Sequence, residues 1–140
     1  AKNDKIVAIK EANGDISAIV ETAALVGDKM DIYSGNDDQI VPVLAMGGLG
    51  CISVLSNVLP RETKQICELF WQGDVQGAAA LQCKYLPLIK ALFSEVNPIP
   101  VKAAMNMMGL NAGPMRLPLC EMSPEHQATL RKTMEEAGLV

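Results

Sequence analysis

Along the first sixty positions, apolar residues come in short β-branched runs. Each run ends in a polar or glycine-rich corner and is followed by a stretch of helical spacing. Ile6-Val7-Ala8-Ile9 leads to Asn13-Gly14-Asp15, where Asp15 suits the N-cap of a helix through Ala24. Asp31-Ile32-Tyr33 leads to Ser34-Gly35-Asn36-Asp37 and a short helix around Ile40 to Met46. Cys51-Ile52-Ser53-Val54 leads to Ser56-Asn57 and a helix opened by Pro60, with Glu62 in its first turn. Strand, corner and helix three times over predict βαβ units and a parallel sheet. Strands this apolar are expected to be buried on both faces. Three parallel strands alone leave two open edges and an uncovered face.

The second half supplies no further strands. Ala78, Leu81, Tyr85, Leu88 and Leu92 recur at helical spacing between Val75 and Phe93, with a break predicted at Pro87. After an extended Asn97-Pro98-Ile99-Pro100, a helix is expected from about Val101 to Met108, stopped by Gly109. Gly113 to Pro118 reads as a loop. Ser123 and Pro124 open a last helix that runs to Gly138.

Composition narrows the class. With 140 residues, 49% of them apolar, the chain is long enough for a compact core. A net charge of −4 with 20% charged residues argues against disorder, a nucleic-acid surface and attraction to anionic membranes. No stretch approaches the roughly 20 apolar residues that span a bilayer. Cys51, Cys67, Cys83 and Cys120 are too dispersed for a zinc site, and the lone His126 adds nothing to one. No metal and no cofactor are expected. The thiols read as reduced and packed as small hydrophobes, in keeping with a cytoplasmic location. The chain opens with AKNDK, without Met or a signal peptide, so its start reads as an interior point of a longer protein or a product of cleavage.

Lys10 is the sharpest chemical candidate. It follows four apolar residues at the C-terminal end of a predicted parallel strand, the end at which α/β proteins place their active sites. Lost hydration there disfavours the charged amine, and a neutral amine can attack a ketone to form an imine. Position alone also permits an ordinary lysine reaching to solvent. Glu11 is expected to point away from Lys10, because strand side chains alternate.

The residues around Lys10 add to this. IVAIKEANGD resembles the Schiff-base strand of the dihydrodipicolinate synthase and N-acetylneuraminate lyase family. SGNDD at 34–38, GGLGCISVLSN at 47–57, NPIPVKAA at 97–104 and MRLPL at 115–119 are similar to the same family in the same order. The K-E-A-x-G-D form, with NPIPVKAA and RLPL, resembles its dihydrodipicolinate synthase branch. The resemblance implies the C-terminal portion of a TIM (β/α)8 barrel. Residues 1–73 would be its last three βα units and residues 74–140 a C-terminal helical extension.

The activity implied is that of a lyase condensing pyruvate with aspartate semialdehyde in lysine (diaminopimelate) biosynthesis. Lys10 matches the imine-forming lysine. Ile52 matches the isoleucine whose carbonyl faces it, and Gly35 the glycine near the second substrate. Where the family has SGDD, this chain reads SGNDD: Asn36 replaces an acid, with Asp37 retained. The family's proton-relay tyrosine, carboxylate-binding threonines, substrate arginine and lysine-inhibitor site all lie upstream of the lysine strand. Tyr33 and Tyr85 do not match the relay. A full barrel takes about 250 residues, so the implied partner is an N-terminal barrel half. The family also implies a homotetramer of tight dimers, with Ile16, Ser17 and Met46 at the weaker contact. Another pyruvate-dependent class I aldolase, such as a 2-keto-3-deoxy-sugar-acid aldolase, and a non-catalytic half-barrel remain alternatives.

Other motifs read as structural. Gly47-Gly48-Leu49-Gly50 precedes a strand, so a tight turn with positive φ is expected there, not a phosphate cradle. Asn36-Asp37-Asp38 is expected to cap a helix. Lys102 and Arg116 read as charges packing the helical tail, and Met105, Met107 and Met108 as fillers of core or interface space.

Overall fold

The computed structural model describes residues 2–140. The chain divides into two compact units: the stretch through Ser53 together with Arg61–Cys83, and Val54–Pro60 together with Lys84–Val140.

The first unit is α/β. Three parallel strands, β1 (Ala8–Glu11), β2 (Asp31–Ser34) and β3 (Gly50–Cys51), lie in the order β1-β2-β3. Ile9 pairs with Ile32, Lys10 with Tyr33, and Tyr33 in turn with Gly50. The helices are α1 (Ile16–Val26), α2 (Ile40–Ala45), α3 (Pro60–Trp71) and α4 (Val75–Lys84). Alternation along β1 and β2 turns Ile9 and Ile32 to one side. There they form a core with Ile19, Ala23, Val26, Met30 and Val43. A second cluster joins Ile40, Leu44, Ile66 and Cys67, flanked by Val41, Cys51, Phe70 and Leu81. Burying each such Ile or Leu stabilises the fold by about 1.5–3 kcal/mol.

Double-sided burial is not met in this chain. Ile6 and Val7, just before β1, are 53% and 65% exposed, and on β1 itself Ala8 and Lys10 are exposed while the helices cover the face that carries Ile9 and Ile32. The strands are also displaced from expectation. β1 begins two residues late and takes in Lys10, while β3 ends at Cys51 and leaves Ile52 just beyond it.

Local signals explain the helix ends. The Asp15 side chain accepts from Ser17 N at 2.8 Å, and Asn13 Oδ1 accepts from Asp15 N at 2.8 Å, which fixes the start of α1. Gly47 has φ +90°, as the turn into β3 requires. A Cβ on Gly48 would fall 2.7 Å from the Val43 carbonyl oxygen. The expected capping by the acidic corner is different in form. Asn36 makes no side-chain capping bond, and its carbonyl accepts from Ser34 Oγ at 2.8 Å. The first turn of α2 is served instead from α4: Gln82 Oε1 accepts from Val41 N and Gln82 Nε2 donates to Asp38 O, each at 2.9 Å.

The second unit is helical: α5 (Leu86–Leu92), α6 (Ile99–Met107) and α7 (Pro124–Glu136) pack on one another. Leu88, Leu92, Ala104, Leu130 and Met134 are buried. The break at Tyr85 between α4 and α5 follows from Pro87, which cannot donate in a helix interior. α6 starts at Ile99, two residues before its expected start, with Pro100 at a position where a missing N–H costs nothing. Lys102 Nζ donates to Pro114 O at 2.6 Å and Asn106 Nδ2 to Gly113 O at 3.2 Å, so Lys102 anchors the 109–118 loop. Met105, Met107 and Met108 are half-buried.

Ser123 opens α7 without capping it through its side chain. Its hydroxyl donates to Glu95 Oε1 at 2.6 Å, which also accepts from Ser123 N at 3.0 Å and lies 2.8 Å from His126 Nδ1. The Ser123 hydroxyl above all, then His126 and the Ser123 amide, holds the Glu95 carboxyl below its usual range. All four cysteines are free thiols, but only Cys51 and Cys67 are packed as expected; Cys83 and Cys120 are exposed. Among the described residues, no helix is long and apolar enough to cross a membrane.

Candidate active site

Strand alternation decides where the chemistry can sit. On β1, Ile9 faces the helices and Lys10 faces the uncovered side. Glu11 turns back toward the helices, where its Oε2 accepts from Thr22 Oγ1 of α1 at 2.9 Å. This carboxylate therefore serves packing and not Lys10, as alternation predicts. Lys10 itself is exposed, so the desolvation expected of it is not supplied by this chain.

Gly35 follows β2 directly, and its N–H donates to Glu11 O at 2.7 Å. A Cβ built on Gly35 would stand 2.8 Å from Lys10 Cε and 2.5 Å from Ala12 Cβ. The lysine stem thus lies over the one residue type that leaves it room. Ile52 N donates to Ser34 O at 2.8 Å, which sets Ile52 beside Gly35 at the same end of the sheet, 51% exposed. Lys10, Gly35 and Ile52 come together at the C-terminal ends of three adjacent strands. A primary amine, a residue without a side chain and an exposed main-chain segment make an open site in which a small carbonyl compound can reach Nζ.

The dihydrodipicolinate synthetase family matches residues 1–137. The chain belongs to that family. Its similarity to dihydrodipicolinate synthases extends across the chain. It is 53% identical over all 140 residues to the 4-hydroxy-tetrahydrodipicolinate synthase of Clostridium perfringens (strain SM101 / Type A), covering 48% of that protein. It is 57% identical over 139 residues to the enzyme of the same name from Caldicellulosiruptor saccharolyticus, covering 47% of it. Among solved structures, the dihydrodipicolinate synthase of Thermotoga maritima superposes with a TM-score of 0.94 at 40% identity, over 99% of this chain and 48% of that one. A monomeric dihydrodipicolinate synthase variant superposes with a TM-score of 0.95 at 41% identity, over 100% of this chain and 48% of that one. The chain spans about half the length of the curated relatives it matches.

Two partners escaped the sequence reading. Gln82 and Glu95 each reach a helix start far along the chain. Neither carries a local signal, since both bonds exist only once the helices have packed.

Proposed function

We propose that this chain is the C-terminal part of a 4-hydroxy-tetrahydrodipicolinate synthase, a lyase that condenses pyruvate with L-aspartate 4-semialdehyde in lysine biosynthesis. Residues 1–73 provide the last three βα units of a (β/α)8 barrel and residues 74–140 a helical extension. The observation that carries the reading is Lys10 at a strand's C-terminal end, its Cε against Gly35 on the uncovered face of the sheet. Family membership over residues 1–137 supports it.

In this reading the Lys10 amine adds to the ketone carbon of pyruvate. Loss of water leaves an imine, and loss of a methyl proton converts it to an enamine. The enamine carbon attacks the aldehyde, whose oxygen takes up a proton, and the semialdehyde's own amino group then adds to the re-formed imine carbon, closing the ring as the Lys10 amine leaves. The main chain at Ile52 faces the bound pyruvate, and Gly35 leaves room for the second substrate. No metal or organic cofactor takes part.

Ile52 beside Lys10, and Ile6 and Val7 just before β1, are exposed and await the N-terminal barrel half, which closes the barrel and dries the site around Lys10. The relay tyrosine and the carboxylate-binding threonines belong to that half. The complete protein works in the cytoplasm as a tetramer of tight dimers. Ile16 and Met46, exposed at 46% and 38%, and Ser17 lie at the weaker contact.

The test is reductive trapping. The protein joined to its N-terminal half is incubated with pyruvate, reduced with borohydride and weighed. One reduced pyruvyl group on Lys10 is expected, and an unmodified Lys10 under those conditions overturns the proposal.

A further inference from the structure

Two thiols that are distant in sequence meet in the first unit. Cys51 ends β3, and alternation turns its side chain away from the side of Ile52 and toward the helices. There it packs against the cluster of Ile40, Leu44, Ile66 and Cys67, with Cys67 in the middle of α3 and 5% exposed. The other members and neighbours of that cluster include Val41, Phe70 and Leu81, so nothing in its packing demands sulfur at either position. Where a buried cysteine is not needed for packing, its reactivity is the property to examine.

Sharing one cluster, the two thiols act on each other's acidity. Cys51 beside it makes Cys67 the easier thiol to ionise, against the opposing effect of burial. Cys67 in turn pushes the Cys51 thiol up, assisted by burial and by the negative charge of Asp37. One sulfur is prepared to act as the nucleophile while the other keeps its proton beside it.

We propose that Cys51 and Cys67 are a reversible dithiol–disulfide site, oxidised by a peroxide, that ties the end of β3 to α3. The Cys67 thiolate attacks one oxygen of hydrogen peroxide, the O–O bond breaks, and the departing hydroxide takes a proton to leave as water. Cys67 is then a sulfenic acid. The Cys51 sulfur attacks it, the S–S bond forms, the S–O bond breaks, and hydroxide leaves with the Cys51 proton as a second water. Two electrons pass from the thiols to the peroxide, and a dithiol reductant returns them. The site stands apart from the lysine chemistry proposed above and does not depend on it.

The test uses the full-length protein carrying this segment. It is treated with one equivalent of hydrogen peroxide, alkylated with iodoacetamide and cut with trypsin. Cys51 falls in segment 30–61 and Cys67 in segment 65–84, which also holds Cys83. The expected product is these two segments joined, lighter by two hydrogens and separated again by dithiothreitol. The link should persist in C83S and vanish in C51A and in C67A. If C67A does not fold, C51A at its half-buried position gives the same answer. Separately alkylated Cys51 and Cys67, or a link that survives C51A or is lost in C83S, overturns the proposal.

Discussion

Gly35 and Lys10 meet on one face at the end of the sheet, Gly35 lying two residues beyond Tyr33, the register partner of Lys10: where Gly35 has a hydrogen, a methyl carbon would lie 2.8 Å from Lys10 Cε. The lysine stem could swing aside, but Ala12 Cβ at 2.5 Å and Glu11 O at 3.1 Å from the same point are fixed to the backbone. Gly35→Ala should therefore displace the strand end as well as Lys10. A loss of stability of about 1–3 kcal/mol is expected by denaturant titration. In the protein with its N-terminal half, pyruvate trapping should slow at least about tenfold, since misplacement by an ångström costs that much or more.

Lys10→Ala should behave in the opposite way. The side chain is exposed, so stability should change by less than about 0.5 kcal/mol. Borohydride trapping with pyruvate should disappear. Residual trapping would assign the imine to another amine.

Gln82 joins α4 to the first turn of α2 through both atoms of its amide. Gln82→Leu leaves the half-buried Val41 N–H without its acceptor, and should destabilise the fold by about 1–3 kcal/mol in urea titrations. Gln82→Glu keeps the acceptor and loses the donor, so its midpoint should fall between those of the wild type and Gln82→Leu.

Glu95 gives a pH dependence. Its carboxyl is depressed in the folded chain, chiefly by the Ser123 hydroxyl and then by His126. Its contribution is therefore present above the ordinary glutamate value of about 4.3 and is lost as pH falls from there through the lower folded value. Denaturation midpoints followed from pH 7 to pH 3 should drop over the acidic end of that range. The drop should be shallower in Glu95→Gln.

The sequence made the local chemistry of this fold readable, and the long-range chemistry was out of its reach. Asp15 announces α1 because its capping bond reaches only to Ser17. Alternation separates Glu11 from Lys10 because a strand has a fixed period. The exposure of Ile6 and Val7 could not be read from their apolar character, since burial depends on what covers a face. Lys10 could be located from its strand and motif, but its contact with Gly35 required the register of β1 on β2. Ser123 was expected to cap α7 from its type, yet its hydroxyl is taken by Glu95, 28 residues earlier.

The helices protect the side of the sheet that carries Ile9 and Ile32 and leave Lys10 and Ile52 exposed on the other. A surface of that kind makes melting temperature a property of the mixture as well as of the chain. Whatever binds the folded face and not the unfolded chain adds RT ln(1 + [L]/Kd) to stability, about 2.7 kcal/mol at a hundredfold excess over Kd. Calorimetric midpoints measured along a titration with the proposed N-terminal half should stay flat below Kd and then climb with the logarithm of its concentration, without a plateau, and the concentration at which the climb begins reports the affinity.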